Sequence, residues 1–432
     1  FPRKRESMPP TCLLDSRLRG NDGAQRDKLI LKKIEHYFAP CPRGLEALLA
    51  DDARDAGAIA ASVKIVPGGV QFAGDWEACY RLNLESRIAS RVMWRLAEGA
   101  YQKEDDVYRL AMGVDWPALF KVERTLRVYV TAIKSPLKSL EFITLRVKDA
   151  VCDRFRAACG QRPSVNTARP DVRIHLFLTA DKATLYLDTS GEPLWQRGYK
   201  IAKVEAPVKE NLAAGILRLI GWQPGIPLYD PMCGSGSFLL EAAQMSLGDA
   251  PGLSRDPGEF GFEKLRNFDA PLWNGLCRAA AERRSLAPAQ LHINGADISA
   301  DAVARARQNL DYAGIGDLVA VRQGDMLKLA PPTNASGEAG IVIANPPYGE
   351  RLGEKEELAA LYPKLGDALK KHYAGWNCWL FSADTALPKL IGLSVKRKIP
   401  LYNGPLECRL YQYPMVAGGN RKPRPGTDET SP

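Results

Sequence analysis

The stretch Ile341-Val342-Ile343-Ala344-Asn345-Pro346-Pro347-Tyr348 concentrates the groups that could do chemistry. Its β-branched residues predict a buried strand. Two prolines then stop that strand, because each fixes φ and removes a backbone donor. The rigid turn left at the strand's carboxyl end carries one side-chain amide (Asn345), the Pro346 carbonyl, the Pro347 ring and one aromatic face (Tyr348). Asn345 and Pro346 are placed to accept hydrogens from a planar amino group while Tyr348 stacks on the ring that bears it. These four residues are the candidate catalytic set, and the chemistry they suit is a reaction at an exocyclic amine of a base.

A second candidate site is Asp230-Pro231-Met232-Cys233-Gly234-Ser235-Gly236-Ser237. Here a strand feeds a glycine loop that opens a helix, a geometry that lets a ligand approach backbone amides. No Gly-Lys-Ser/Thr follows and the spacing is not GxGxxG, so this is neither of the common phosphate loops. The acid before the glycines favours a cationic ligand end near Asp230. Ala296-Asp297-Ile298 ends the next strand with a carboxylate suited to both hydroxyls of a ribose. Gly324-Asp325-Met326 ends another with a carboxylate suited to an adenine amine, with Met326 or Ile298 covering the ring. One strand-end Asp is usually a helix N-cap. Three in succession after a glycine loop fit one extended ligand bearing an amino group, a ribose and adenine. S-adenosyl-L-methionine has that order, and its expected contacts are Asp230, Pro231, Cys233, Gly234, Gly236, Asp297, Ile298, Asp325, Met326 and Asn345. Lys209, Glu210 and Asn211, on a helix pattern over 207–219, lie close enough in sequence to reach the same pocket.

The elements that must position these residues form two textures. From about 205 onward strand–loop–helix units repeat: strands at 228–230, 293–297, 319–322 and 341–344, with helices at 237–245 and 300–313. This predicts a doubly wound α/β sheet with its ligand site at the strands' carboxyl ends. Residues 248–290, rich in Pro and Gly, read as an insertion. Between about 36 and 200 the signals are α+β. A helix is expected near 45–49, a hairpin around Pro67-Gly68-Gly69, and a long amphipathic helix over 75–96. Strands follow at 126–133, 172–178 and 183–188, with a helix at 148–159.

The chain has 432 residues, 45% hydrophobic and 25% charged, and a formal charge of +9. Residues 1–33 hold +5 of that charge, which leaves +4 for the rest, so net charge alone says little about a nucleic-acid partner. This basic stretch and the tail after 416 lack apolar periodicity and are expected to be disordered, and the first methionine, Met8, lies inside the basic stretch. No apolar run approaches about 18 residues, so no membrane span is expected, and 1–33 lacks the apolar core of a signal peptide. Nine scattered cysteines without a CxxC pair and four isolated histidines predict reduced thiols and no metal site, in a cytoplasmic protein.

On these motifs the chain resembles class I S-adenosylmethionine-dependent methyltransferases of the Asn-Pro-Pro-Tyr type. More closely, residues 36 to about 416 resemble bacterial 23S rRNA guanine-N2 methyltransferases with a THUMP domain. The stretches that carry this are Pro42-Arg43-Gly44-Leu45-Glu46, Arg87-Ile88-Ala89-Ser90-Arg91, Arg146-Val147-Lys148-Asp149-Ala150, Leu187-Asp188-Thr189-Ser190-Gly191, Arg197-Gly198-Tyr199 and 345–352. The resemblance implies a ferredoxin-like piece at 34–74, a THUMP RNA-binding domain at 75–187, a linker at 188–204 and a Rossmann-like class I methyltransferase domain at 205–416. It implies N2 methylation of a guanine, with 23S rRNA or a large-subunit assembly intermediate as partner and no DNA. Some family members carry a second methyltransferase domain that makes a 7-methylguanine, and that activity is not expected here. Ser237 stands where the family usually has Thr. Three other readings stay open on the residues: a tRNA guanine-N2 enzyme, a DNA adenine-N6 enzyme, and an RNA-binding assembly factor with an inactive site.

Overall fold

A computed structural model describes residues 33–199, 201, 208–284, 291–332, 339–347 and 352–416, the side chains of 352–355 apart. Calls on 1–32, on 417–432 and on Tyr348 lie outside the described residues. Everything below concerns the body from Ile34 onward.

The N-terminal half builds one sheet from β1 (Glu35–Pro40), β2 (Lys64–Val66), β3 (Gly69–Gly74), β4 (Met93–Ala100), β5 (Leu126–Ala132), β6 (Val172–Leu178) and β7 (Lys182–Asp188), in the order β2-β3-β1-β4-β7-β6-β5. The expected hairpin is β2–β3, with Val66 opposite Gly69. Its helices are α1 (Glu46–Asp55), α2 (Trp76–Glu85), α3 (Glu104–Met112), the short α4 (Trp116–Leu119) and α5 (Leu140–Cys159). The helix expected over 75–96 is a misreading: α2 ends at Glu85 and Ser86 turns extended, at φ −67° and ψ 127°. Residues 93–100 form β4 instead, in which Trp94 pairs with Tyr37 on one side and Leu187 on the other. Apolar spacing runs on through the break. The chain leaves the helix where Arg87, Ile88 and Ser90 contact the C-terminal half, described next.

That half is α6 (Glu210–Leu219), β8 (Leu228–Asp230), α7 (Ser237–Ser246), α8 (Ala270–Arg284), β9 (Ile293–Asp297), α9 (Ala300–Tyr312), β10 (Ala320–Gln323), β11 (Ile341–Ala344), α10 (Leu352–His372), β12 (Asn377–Ser382), the short α11 (Leu387–Leu390), β13 (Arg397–Asn403) and β14 (Leu406–Pro414). The sheet order is β10-β9-β8-β11-β12-β14-β13. The first five strands are parallel, and β14 enters antiparallel to both β12 and β13. Apolar side chains cover both faces. One core holds Val342, Tyr362, Tyr373 and Leu380, and the other runs from Ile343 and Leu239 into the N-terminal half. Among the described residues no helix is long and apolar enough to cross a membrane.

The two halves meet around a carboxylate. Glu241 of α7 is fully buried and accepts from Arg87 at 3.0 Å, from Arg197 Nε at 2.6 Å and from the Tyr199 hydroxyl. Arg197 also donates to the Arg87 carbonyl at 2.8 Å. Burial is the largest influence and would lower the Arg197 pKa, but the Glu241 charge, Tyr199 and the hydrogen bond to Glu241 together raise it. Arg91 pairs with the buried Asp188 and donates to the Gly191 carbonyl at 2.6 Å, so the described part of 188–204 is packed rather than slack. The described part of the insertion, 248–284, is a wedge against the same seam. Its Phe262 and Trp273 lie 4.5 and 6.0 Å from the Tyr80 ring of α2, and Arg255 donates to the Ser190, Glu192 and Pro193 carbonyls.

Removing one partner from a buried ion pair costs roughly 3–5 kcal/mol, because the other charge stays buried alone. Glu241→Gln is therefore expected to lower the urea-unfolding free energy by about that much. Unfolding at the wild-type midpoint would show that the cluster does not hold the halves together.

Candidate active site

Four neighbouring parallel strands present their carboxyl ends on one edge, and each end carries a residue singled out above. Across the order β10-β9-β8-β11 these are Asp325, Asp297, Asp230 and Asn345. The chain steps from β8 to β9 on one side and returns to β11 on the other, so β8 and β11 flank the point where strand order reverses. Open α/β sheets bind ligands at that point.

The glycine loop is held from behind. Cys233 N donates to the Ala296 carbonyl at 2.9 Å, Gly234 N to Asp297 Oδ2 at 2.9 Å, and Asn309 of α9 donates to the Ser235 carbonyl at 3.0 Å. Gly236 caps α7 at φ +83°, a left-handed conformation that favours glycine. Pro231 and Cys233 are buried walls of the loop, and burial pushes the Cys233 thiol well above its ordinary range. Burial and the nearby Asp230 and Asp297 charges thus disfavour its thiolate form.

Asp230 is buried, with one carboxylate oxygen accepting from Met232 N at 3.2 Å. Burial pushes its carboxyl well above the usual carboxylate range, and the Asp297 charge adds to the shift. A cationic ligand group is what such a carboxyl lacks. Asp297 is less free than its spacing suggests: Oδ2 takes Gly234 N and Oδ1 takes Ser299 N at 3.0 Å. Each oxygen keeps one lone pair, which is enough for one hydroxyl apiece. Asp325 accepts from Leu327 N at 2.9 Å through Oδ1, and its Oδ2 lies 3.6 Å from Lys328.

The two apolar candidates separate. Ile298 is 66% exposed beyond β9, its carbonyl held by Gln323 at 3.1 Å, a large hydrophobe left facing open space. Met326 is 2% exposed and packs in the core beside Tyr373, so its side chain is not a cover for a ring; the alternation after β10 turns it inward. On β11 the run Ile341 to Ala344 is buried, Asn345 is half-buried, Pro346 buried and Pro347 exposed. Asn345 Oδ1 has no hydrogen-bond partner although it is buried, and neither does Ser235 Oγ in the glycine loop. Unpaired buried polar atoms cost about 1–3 kcal/mol each, so orphans at two adjacent strand ends mark a place that a polar ligand completes.

Three parts of the seam escaped sequence reasoning: Glu241, the insertion's aromatic wedge, and the β12–β14 strands beside the site. The only signals for them were the quoted Arg87 and Arg197 stretches, whose role needs a partner distant in sequence. Lys209 and Asn211 do not join the strand-end acids; both line a different cavity.

Residues 197–412 match the RMKL-like methyltransferase domain family. The chain belongs to that family. Residues 101–188 match the THUMP domain and 36–93 the RlmL ferredoxin-like domain. The ribosomal RNA large subunit methyltransferase K/L of Syntrophotalea carbinolica is 40% identical over 382 residues, 87% of this chain and 53% of that protein. The chain therefore spans about half the length of that curated relative. Among solved structures, a methyltransferase complexed with SAH (SMU.472) is 30% identical with a TM-score of 0.78, over 90% of this chain and 100% of that one. A predicted N6-adenine-specific DNA methylase from Listeria monocytogenes gives 30% and 0.78, over 90% and 99%. The fold is thus a class I methyltransferase domain preceded by ferredoxin-like and THUMP regions.

Asp230→Asn removes a carboxyl that burial penalises when charged. The folded-state pKa is raised, so the charged acid destabilises the fold as pH rises above the usual carboxylate range, and the neutral amide escapes this. At pH 8 the variant is expected to melt higher by about 1 °C for each kcal/mol recovered in a body of this size and to bind S-adenosylhomocysteine more weakly. Calorimetry reads both, and an unchanged affinity would remove Asp230 from the site.

Proposed function

We propose that the chain transfers a methyl group from S-adenosyl-L-methionine to the exocyclic N2 amine of a guanine in 23S rRNA. The observation that carries this reading is the unpartnered Asn345 Oδ1, an acceptor at the end of β11 beside the strand of Asp230. When bound, the cofactor supplies an electrophilic methyl on a sulfonium. Asp325, Ile298, Asp297 and Asp230 would hold its adenine, ribose and amino ends in that order, along the strand order that they occupy.

An exocyclic amine is a weak nucleophile because its lone pair is delocalised into the ring. Asn345 Oδ1 and the Pro346 carbonyl would accept its two hydrogens, draw the nitrogen towards a tetrahedral shape and aim the lone pair across the gap between β11 and β8. Forming the nitrogen–carbon bond would break the methyl–sulfur bond, leave the donor as a neutral thioether and release one amine proton to water after transfer, so no strong base is needed. Positioning of this kind is worth roughly 7–11 kcal/mol. Tyr348 would stack on the base, worth about 1–3 kcal/mol. That offsets part of the few kcal/mol needed to unstack the target.

The THUMP region favours RNA, and the similarity to the rRNA methyltransferase favours the large subunit, as naked 23S rRNA or an assembly intermediate made in the bacterial cytoplasm. The likeness to a predicted adenine-N6 DNA methylase supports a second reading, since the strand-end amide serves either amine. Incubation with labelled S-adenosylmethionine and 23S rRNA lacking the modification is expected to yield N2-methylguanine, and plasmid DNA to yield nothing. Label in DNA adenine alone would overturn the proposal. Asn345→Ala is expected to cut the rate at least about hundredfold, as loss of one preorganised polar contact does, with cofactor affinity within a few-fold of wild type.

A further inference from the structure

A second cavity, about 510 Å³, opens where the N-terminal half meets the catalytic sheet, and its lining shares no residue with the strand-end site. Arg43 and Ser90 come from the N-terminal half, Trp195 from the segment after β7, and Lys209, Asn211 and Tyr402 from the catalytic half. Two cations and two rings stand in pairs. Lys209 Nζ is 4.9 Å from the Trp195 ring centroid, and the Arg43 guanidinium carbon is 5.7 Å from that of Tyr402. Neither cation has an ion-pair partner among the described residues. Glu46, on the same side, is engaged by the Gly44 and Gly68 amides at 2.8 and 3.0 Å.

Asn211 is fully buried. Its Nδ2 donates to the Ile88 carbonyl at 3.2 Å and to Ser90 Oγ at 3.1 Å. A carbonyl only accepts, so the Ile88 contact fixes which end of the amide is nitrogen. Asn211 Oδ1 is left buried with no donor. The cavity also faces the right way. β13 and β14 are antiparallel, as are β14 and β12, while β12 and β11 are parallel. The turn after Tyr402 therefore lies beyond the carboxyl ends of the parallel strands, on the same edge as Asn345.

A ligand that suits this lining has a negative charge for Arg43 and Lys209, a flat face for the two rings, and an N–H for Asn211. The volume is that of an ordinary small-ligand site. A nucleotide combines all three properties. We propose that the cavity holds one nucleotide of the single-stranded RNA beside the target base, its phosphate on Arg43 and Lys209 and a base N–H on Asn211. This rests on the RNA reading above. It assigns the seam between the halves a direct part in gripping substrate.

The test uses the full chain and a short fluorescent single-stranded RNA, with anisotropy followed across a salt series. Arg43→Gln and Lys209→Gln together are expected to weaken binding about tenfold and to flatten the log K against log salt slope by about 0.7 for each phosphate charge no longer neutralised. Arg43→Lys should restore much of the slope. Binding of S-adenosylhomocysteine by calorimetry reports that the variant is folded, and the single Arg43→Gln serves if the double variant is not. Equal affinity and slope in wild type and variant would overturn the proposal. So would adenosine or guanosine monophosphate binding that depends on Arg43 and Lys209 while RNA binding does not, since the site would then serve a free nucleotide. Wild type that binds RNA with this dependence but transfers no methyl would sink the proposed reaction and leave the nucleotide site standing.

Discussion

The carboxylate of Glu241, which has no access to water, holds the molecule's architecture and its site in one place. Its helix, α7, begins at Gly236, the last glycine of the loop that faces the strand-end acids. Its partners come from the end of α2 and from the segment after β7. A buried charge with three donors has few arrangements of low energy. Placing it therefore sets the tilt of α7, the height of the glycine loop and the docking of the N-terminal half together.

The same economy explains the insertion. Parallel strands leave a seam that polar side chains alone would seal poorly, and the Phe262–Trp273–Tyr80 cluster fills it with ring area. Arg255 then satisfies the carbonyls of 190–193 that the packing would strand. Close backbone approach completes the joint: a Cβ on Gly44 would lie 2.7 Å from the Pro400 carbonyl, so β13 rests directly on the N-terminal half. The THUMP and ferredoxin-like regions are in this way packed directly against the C-terminal half.

How much of this was legible in the sequence follows from how local each signal is. Strand-end acids and the Asn-Pro-Pro turn announce themselves, because a β-branched run stopped by Pro or Gly has few other meanings. The strands carrying Asp230, Asp297, Asp325 and Asn345 fall where expected, and so do their helices. The break after Glu85 was hidden, because apolar spacing continues through it and only the contacts of Arg87 and Arg91 show why the chain turns. Met326 was misjudged for a similar reason: one residue decides which face of a loop it takes, and the core beside Tyr373 took it. Glu241 carries no local signal, since its partners are 154 and 44 residues away.

Strand order turns four isolated motifs into a line of action. Asp325, Asp297 and Asp230 run inward across three strands, and Asn345 stands on the fourth, beyond the point where the order reverses. On the proposed reading an extended ligand laid along the three acids would end facing Asn345, with cofactor and amine approaching from opposite sides of β8. The amide then needs no proton of its own to exchange. On the proposed reading the Asn345 oxygen and the Pro346 carbonyl each take one hydrogen, and a stiff Pro-Pro turn at the end of a buried strand would hold both acceptors in place before any substrate arrives. The arrangement also explains why the site tolerates a carboxyl as poorly solvated as Asp230. On the same reading, its cost to the fold would favour a cationic group settling there, at the end of the line nearest Asn345.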